Sequence, residues 1–380
     1  MYEKHDSFLV LKHKKNQKIN SIIDRIIKTS KDISIVEKLS SKSQKILENV
    51  TRDLLDNTES SSKTKFNIKS NVVAEINTIA DSDLPRYLVH RYRYEIFPQT
   101  KTIDNFPPYL QIEPTSICNY RCVFCFETDE TFTNKKNGHM GQMALDLFKK
   151  VIDQAEGNIE FISLASRGEP LACPDIAKML EYTTGKFLNL KLNTNASLLD
   201  EKKCHAILSG GVKTVVFSAD AATEPLYSKL RVNGSLSKVL KNIENFKRIH
   251  ETKYANNPII SRVSGVKFNN EQNFNSMEKI WGDLVDQVAF VNYNSWENSY
   301  NKPPNGIVEP CSDLWRRMFV WWDGKINPCD VDYKSHLSVG SFSRNSIQEL
   351  WNSEKYNQLR ETHLSKKRQK KSPCSSCVVI

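Results

Sequence analysis

The 380-residue chain has no apolar run approaching the roughly 18–20 residues that cross a bilayer. Its first residues, Met1-Tyr2-Glu3-Lys4-His5-Asp6, are charged, and Phe8-Leu9-Val10-Leu11 behind them is too short for a secretory signal. With 39% hydrophobic and 26% charged residues, the chain reads as globular, cytoplasmic and without a membrane partner. An even set of cysteines is also missing. Nine cysteines and no signal argue against a disulfide framework and for thiolate chemistry. One-sided charge is missing from the middle of the chain. Of the net charge of +10, residues 1–105 hold +5 and the run Lys366-Lys367-Arg368-Gln369-Lys370-Lys371 another +5. A nucleic-acid binder concentrates positive charge on its working face, so nucleic acid is not an expected partner. There is no internal repeat, and the length suits two or three domains.

Ile19, Ile22, Ile23, Ile26 and Ile27 recur at helical spacing, as do Ile46, Leu47, Val50, Leu54 and Leu55. Residues 1–60 are therefore expected to be all helix, with Ser30 or Asp32 as a cap. Residues 57–64 read as a polar linker and 66–100 as more helix, ending near Pro98. This helical N-terminal extension, residues 1–105, holds no catalytic motif. It is either a substrate- or partner-binding element or a cap on the next domain. From Tyr109 onward, strand candidates at 109–113, 159–164, 188–193, 214–218, 259–266 and 287–292 alternate with helices at 143–155, 175–184, 200–209, 235–250 and 275–283. That alternation predicts an α/β fold with a parallel sheet, open or closed into a barrel, and chemistry at the carboxyl ends of its strands. The expected division is 1–105, 106–300 and 301–380. In the last part, residues 318–322, Asp323-Gly324 and residues 325–327 read as a hairpin, because the turn needs positive φ. A helix over 346–359 follows.

Seven of the nine cysteines fall into two groups. Cys118, Cys122 and Cys125 form C-x3-C-x2-C directly after the first expected strand. Three thiolates on one loop can hold three irons of a 4Fe–4S cluster and leave the fourth for a small molecule. Zinc with a further ligand such as His139 is the competing reading. Cys311 and Cys329 flank the hairpin with 17 residues between them, and Cys374-x2-Cys377 completes a set of four. Four thiolates suit either zinc or iron–sulfur. Cys173 and Cys204 stand alone, in or beside expected helices, and are expected to be structural.

After the cysteine loop come Arg167-Gly168-Glu169-Pro170, then Leu192-Asn193-Thr194-Asn195-Ala196, then Phe217-Ser218-Ala219-Asp220, then Arg231, then Ser264-Gly265-Val266, in order after successive strands. This series resembles the radical S-adenosylmethionine (radical SAM) superfamily over roughly residues 108–295. The family's turn reads Gly-Gly-Glu-Pro, and here Arg167 stands for the first glycine. The resemblance implies a partial (β/α)6 radical SAM barrel. It places Gly168 and Glu169 at the methionine amino group and aligns Asn195 with the family's Thr-Asn-Gly. It sets Ser218 and Arg231 at the ribose and carboxylate, Gly265 where adenine nears the backbone, and Phe124 beside the adenine. The chemistry suits those roles: a carboxylate takes an ammonium group, and a guanidinium grips a carboxylate in a fork. The segment from Asp323 to Cys329, with Gly340 and Leu350-Trp351, resembles the SPASM/twitch extension of that superfamily, a small C-terminal β-hairpin/helix cluster-binding domain. Four cysteines match the shorter twitch form with one auxiliary 4Fe–4S cluster, with structural zinc as the alternative. The basic run beside Cys374 either offsets thiolate charge or is a solvated tail.

The resemblance implies S-adenosylmethionine and two 4Fe–4S clusters as cofactors, and a flavodoxin- or ferredoxin-type electron donor. One-electron cleavage of S-adenosylmethionine would give a 5′-deoxyadenosyl radical that abstracts a substrate hydrogen. With its four thiolates engaged, the auxiliary cluster would carry an electron rather than bind substrate. That favours an oxidoreductase acting on a small polar substrate such as a sugar or aminocyclitol. The rivals are a maturase of peptide substrates and a redox-neutral epimerase. The all-helical reading of residues 1–60 counts against the maturase, whose leader-binding domain has strands. A zinc protein binding nucleic acid is a distant third. Asn292, Asn294 and Trp296 are expected near the barrel mouth by position. So are Asp220, Glu297 and Arg316, the candidates for a catalytic group, although a base is recognised by geometry before pKa.

Overall fold

The computed structural model describes residues 8–10, 19–56 and 64–380. Its strands, in chain order, are β1 (Phe8–Val10), β2 (Tyr109–Ile112), β3 (Arg121–Cys122), β4 (Phe161–Leu164), β5 (Asn189–Thr194) and β6 (Thr214–Ser218). There follow β7 (Arg231–Val232), β8 (Ile260–Lys267), β9 (Gln287–Asn292), β10 (Arg317–Val320), β11 (Lys325–Asn327) and β12 (Gly340–Ser341). Ten of them make one sheet in the order β1-β9-β8-β6-β5-β4-β2-β10-β11-β12, and β3 pairs with β7. The six expected strands, β2, β4, β5, β6, β8 and β9, are adjacent and parallel. Their order is linear, so the barrel is partial. Helices Leu145–Ala155, Ile176–Tyr182, Glu201–Ser209, Leu236–Lys253 and Phe274–Gly282 lie between these strands in the chain. Each turns one apolar stripe inward, for example Val239, Ile243, Phe246 and Ile249, at helical period.

The C-terminal hairpin forms as expected, with Gly324 at φ 79° in its turn. It is not a separate layer. β10 runs parallel to β2, so β10, β11 and β12 extend the barrel sheet. The helix expected at 346–359 is two helices, Ile347–Trp351 and Glu354–Leu364, because Ser353 caps the second.

The N-terminal helices Ile19–Ser30, Ile33–Val36, Ser41–Leu55 and Ser70–Ile76 pack round a fifth, Leu84–Thr100, which is buried along most of its length. Asp32, not Ser30, caps one of them. The fifth helix is polar for a buried element, and its charges are paired in place: Arg91 with Glu95 at 2.8 Å and Arg93 with Asp104 at 3.0 Å. Its core takes in Tyr109, Phe161 and Leu188, all at the amino ends of barrel strands. The extension therefore closes the end of the barrel opposite the chemistry, as a cap would. One expectation fails: the N-terminal segment is not all helix, since Phe8–Val10 is a strand paired antiparallel with β9. An apolar tripeptide there satisfies the open backbone edge of the sheet. Of the polar linker, residues 57–63 lie outside the described residues. No helix among the described residues is long and apolar enough to cross a membrane.

Candidate active site

The loop after β2 is fixed mainly by its own backbone and short polar side chains. Thr115 Oγ1 donates to the Gly141 carbonyl at 2.8 Å, and the Gly141 amide donates to Ser116 Oγ at 2.8 Å. The Glu169 amide donates to the Ile117 carbonyl at 3.0 Å. Antiparallel pairing of β3 with β7 sets Cys122 directly opposite Arg231. The Cys118, Cys122 and Cys125 thiols are desolvated, and burial pushes Cys118 up to about 12. Metal binding would have to displace those protons.

The turn after β4 lies against this loop. A Cβ on Gly168 would stand 2.4 Å from the Thr115 carbonyl oxygen and 2.7 Å from the Ile117 backbone, so only glycine fits. Glu169 accepts from Thr194 Oγ1 at 2.6 Å and from the Asn195 and Leu171 amides at 2.7 and 3.0 Å. Burial raises its pKa, against the pull of those bonds. Asn195 Nδ2 donates to Asn119 at 3.0 Å and so ties the turn after β5 to the cysteine loop. Ser166 takes φ 131°, strained for a residue with a side chain, one position before Arg167.

Arg167, the departure from the family pattern, does not face solvent. Its guanidinium forks Glu113 at 2.7 and 2.6 Å and donates to the Tyr333 carbonyl at 2.8 Å. It also stacks on Trp321 at 4.3 Å. It joins the barrel's first loop to the segment that follows Cys329, a role its sequence position did not suggest.

Arg231 is buried and holds Asp220 at 2.6 Å. Burial alone would lower its pKa, but the carboxylate raises it. Asp220 also accepts from the Val266 amide. Burial raises the Asp220 pKa, opposed by Arg231.

The second cysteine set is assembled from three segments. Arg368, 1% exposed, is their hub. Its five N–H groups go to the carbonyls of Cys374 (twice), Cys377, Glu309 and Val379 at 2.8–3.3 Å. The lysines of the same basic run are exposed. His363 Nδ1 accepts from the Cys311 amide at 3.2 Å, and burial pushes this imidazole down to about 4. Burial also pushes the Cys311 thiol up to about 12.

A cavity of about 400 Å³ joins the two sets: all seven cysteines line it. Of the residues expected to hold cofactor, Phe124, Gly168, Glu169, Asn195, Ser218 and Arg231 line it, whereas Gly265 does not. A Cβ on Gly265 would meet the Ala219 carbonyl at 2.6 Å, so its neighbour Val266 forms the wall instead. Asn292, Asn294 and Trp296 line it as well. The three catalytic candidates do not. Asp220 lies behind Arg231, Glu297 accepts from the Tyr293 hydroxyl, and Arg316 donates to the Tyr94 carbonyl and stacks on its ring at 4.7 Å. Arg317 lines the wall in place of Arg316, and Gln111, Lys191, Asn193 and Asp330 were not foreseen. The alternation of Asn189-Leu190-Lys191-Leu192-Asn193 in β5, half-buried and buried by turns, was the available signal.

Seven thiols on one cavity are a donor set that iron–sulfur clusters take. Four thiolates on zinc at about 2.3 Å would lie within about 4 Å of one another. Among the described residues no three His, Cys, Asp or Glu side chains are gathered for one ion. His139, the proposed fourth zinc ligand, stacks on Phe132 and is outside the cavity wall. Ser166 Oγ, Asn193 Oδ1 and Trp296 Nε1, buried and without a hydrogen-bond partner among the described residues, leave polar atoms in the same wall for a polar ligand. Cys173 and Cys204 are buried in the main core.

Residues 112–271 match the Radical SAM superfamily, and residues 311–378 match SPASM, an iron–sulfur cluster-binding domain. A GTP 3′,8-cyclase of Clostridium botulinum is 32% identical over 143 residues, 36% of this chain and 42% of that protein. Its counterpart in Campylobacter lari is 26% identical over 278 residues, 62% of this chain and 84% of that one. This chain thus spans about two fifths of the first relative. In fold it is similar to BtrN in complex with AdoMet and 2-DOIA, with TM-score 0.50 and 16% identity over 73% of this chain and 95% of that one. It is similar also to Streptococcus suis SuiB bound to precursor peptide SuiA, with TM-score 0.52 and 15% identity over 88% of this chain and 81% of that one.

Proposed function

Because the chain belongs to the radical SAM superfamily and carries a SPASM domain, whose cofactors are S-adenosylmethionine and two 4Fe–4S clusters, we propose that it dehydrogenates a small polar substrate. The observation that supports this is one cavity lined by both cysteine sets, the three thiols of the loop after β2 and the four of the C-terminal segments. When bound, the cofactors supply a 5′-deoxyadenosyl radical to remove a hydrogen atom and an auxiliary cluster to accept the second electron. The chain's own residues bind and orient. Cys118, Cys122 and Cys125 hold the first cluster, and Cys311, Cys329, Cys374 and Cys377 the auxiliary one. Gly168 lets the turn after β4 close on the cysteine loop, and Glu169 and Asn195 fix that turn for the methionine amino group. Arg231, already charged and oriented by Asp220, reaches the wall where a carboxylate would lie. Arg167 holds the C-terminal segment over the barrel mouth and keeps water out. Amide and hydroxyl groups of Gln111, Asn193, Asn292 and Ser218 suit a hydroxyl-rich substrate, and the BtrN complex with 2-DOIA shares this fold.

A peptide substrate is the second reading, favoured by the 88% of this chain that aligns with peptide-bound SuiB. Iron and sulfide per anaerobically purified chain test the proposal. Two clusters give about eight iron, falling to about four when Cys118, Cys122 and Cys125 become Ala. With dithionite, 5′-deoxyadenosine release should require those three cysteines and rise with an oxidisable polyol or aminopolyol. Zinc in the C-terminal set would remove the electron acceptor and bring a redox-neutral reaction forward. Release stimulated only by peptides would replace the small substrate.

A further inference from the structure

We propose that His363 donates its Nε2–H to a sulfur atom of the auxiliary cluster and raises the potential at which that cluster accepts an electron. This rests on reading the C-terminal cysteines as a 4Fe–4S site. His363 lies in helix Glu354–Leu364 with 0% exposure. Its Nδ1 accepts from the Cys311 amide at 3.2 Å, so that nitrogen carries no proton. An imidazole with a bare Nδ1 carries its proton on Nε2 and is a donor there. Nε2 is buried and has no hydrogen-bond partner among the described residues. The ring stands in the cavity wall with Cys311, Cys329, Cys374 and Cys377. A buried donor with nothing to donate to is costly, and sulfurs of a thiolate-bound cluster are the acceptors this wall would provide.

The neighbouring cation cannot fill that role. All five N–H groups of Arg368 are spent on backbone carbonyls. Arg368 therefore contributes charge to the site, and His363 contributes the hydrogen bond. A hydrogen bond to sulfur stabilises the more negative, reduced cluster, which moves the midpoint upward. That direction suits a cluster that receives an electron from an oxidised substrate.

The test uses the full chain with Cys118, Cys122 and Cys125 replaced by Ala, so that only the auxiliary cluster is present. Iron is counted, then the midpoint is read by redox titration followed by electron paramagnetic resonance. Two substitutions separate the ring's two nitrogens. His363→Asn keeps an oxygen acceptor at the Nδ1 position and loses the Nε2 donor. His363→Gln keeps an amide donor at the Nε2 position and loses the acceptor for Cys311. The expected result is about four iron throughout, a more negative midpoint for His363→Asn, and a midpoint near the parent for His363→Gln. A parent midpoint in His363→Asn, or an equal shift in both, overturns the proposal. Should either variant lose its iron, pulsed resonance on the histidine-15N-labelled parent decides. A weak nitrogen coupling supports the hydrogen bond. No coupling, or the strong coupling of a direct ligand, sinks it. Zinc instead of iron in the parent defeats the cluster reading itself.

Discussion

The two thiol sets are built in opposite ways. Cys118, Cys122 and Cys125 sit on one loop whose shape is held by backbone bonds and by serine, threonine and glycine at 115, 116, 141 and 168. Cys311, Cys329, Cys374 and Cys377 come from three segments held together by buried side chains, chiefly Arg368, with His363 beside it. A loop needs only its own residues and a close neighbour. A site assembled across segments needs polar groups buried far from solvent, and such groups are costly to leave unpaired. The second set should therefore be the more fragile to a single distant substitution.

Arg368→Met should have the largest effect. It strips hydrogen bonds from four carbonyls in a nearly dry site. A loss of roughly 3–5 kcal/mol is expected for such a network. Iron should fall by about half as the auxiliary cluster alone is lost, with a lower Tm by calorimetry. Full iron retention would mean that the cysteines, not the arginine, shape the site.

Gly168→Ala strikes the other set. The added Cβ would meet the Thr115 and Ile117 backbone at 2.4–2.7 Å, and neither is the end of a flexible side chain. Overpacking of this kind costs roughly 1–3 kcal/mol. Release of 5′-deoxyadenosine should fall by about 5- to 150-fold, since each 1.4 kcal/mol is a factor of ten, while auxiliary iron stays in place. An active Gly168→Ala enzyme would show that the turn need not close on the loop.

The same contrast explains what could be read before the structure. The six parallel strands, the cysteine loop and the turns after β4, β5 and β6 carry local signals: alternation, helical period and spacing. Asn195 and Ser218 fell where their strands end, and both line the cavity. Contacts across long separations left no such trace. Arg167 looked like a mild departure from a glycine, yet its partners include Tyr333, 166 residues away. Asp220 looked like a base at a strand end, but Arg231 and the Val266 amide claim it. Position placed Arg316 near the mouth, but Arg316 precedes β10 and is held by the Tyr94 carbonyl, and Arg317, the first residue of β10, lines the wall instead. The basic run looked uniform, whereas burial singles out Arg368 from its lysines.

Two carboxylates carry the comparison into pH. Asp129, in the segment after Cys125, would be raised by burial, but bonds from Lys334, Thr131 and Tyr333 hold it well below the usual range. Asp332, beyond Cys329, is 0% exposed. Burial pushes it up to about 6 despite the Leu337 and His336 amides and the Tyr300 hydroxyl that donate to it. The signs are opposite. Asp129 stabilises the fold above its unfolded pKa of about 4 and loses that contribution on acidification below it. Asp332 holds its proton more tightly folded than unfolded, so its contribution is favourable below about pH 4 and is lost as pH rises to about 6. Wild type and Asp332→Asn, compared by denaturant unfolding of the metal-free chain, should differ by a pH-dependent amount of about 3 kcal/mol across that window. The wild type should lose ground as pH rises, because the asparagine has no proton to give up. A difference that is flat between pH 4 and 6.5, or that grows in the wild type's favour, would mean that the loop's hydrogen bonds outweigh its burial. The auxiliary segment would then be as well solvated, electrostatically, as the cysteine loop it faces.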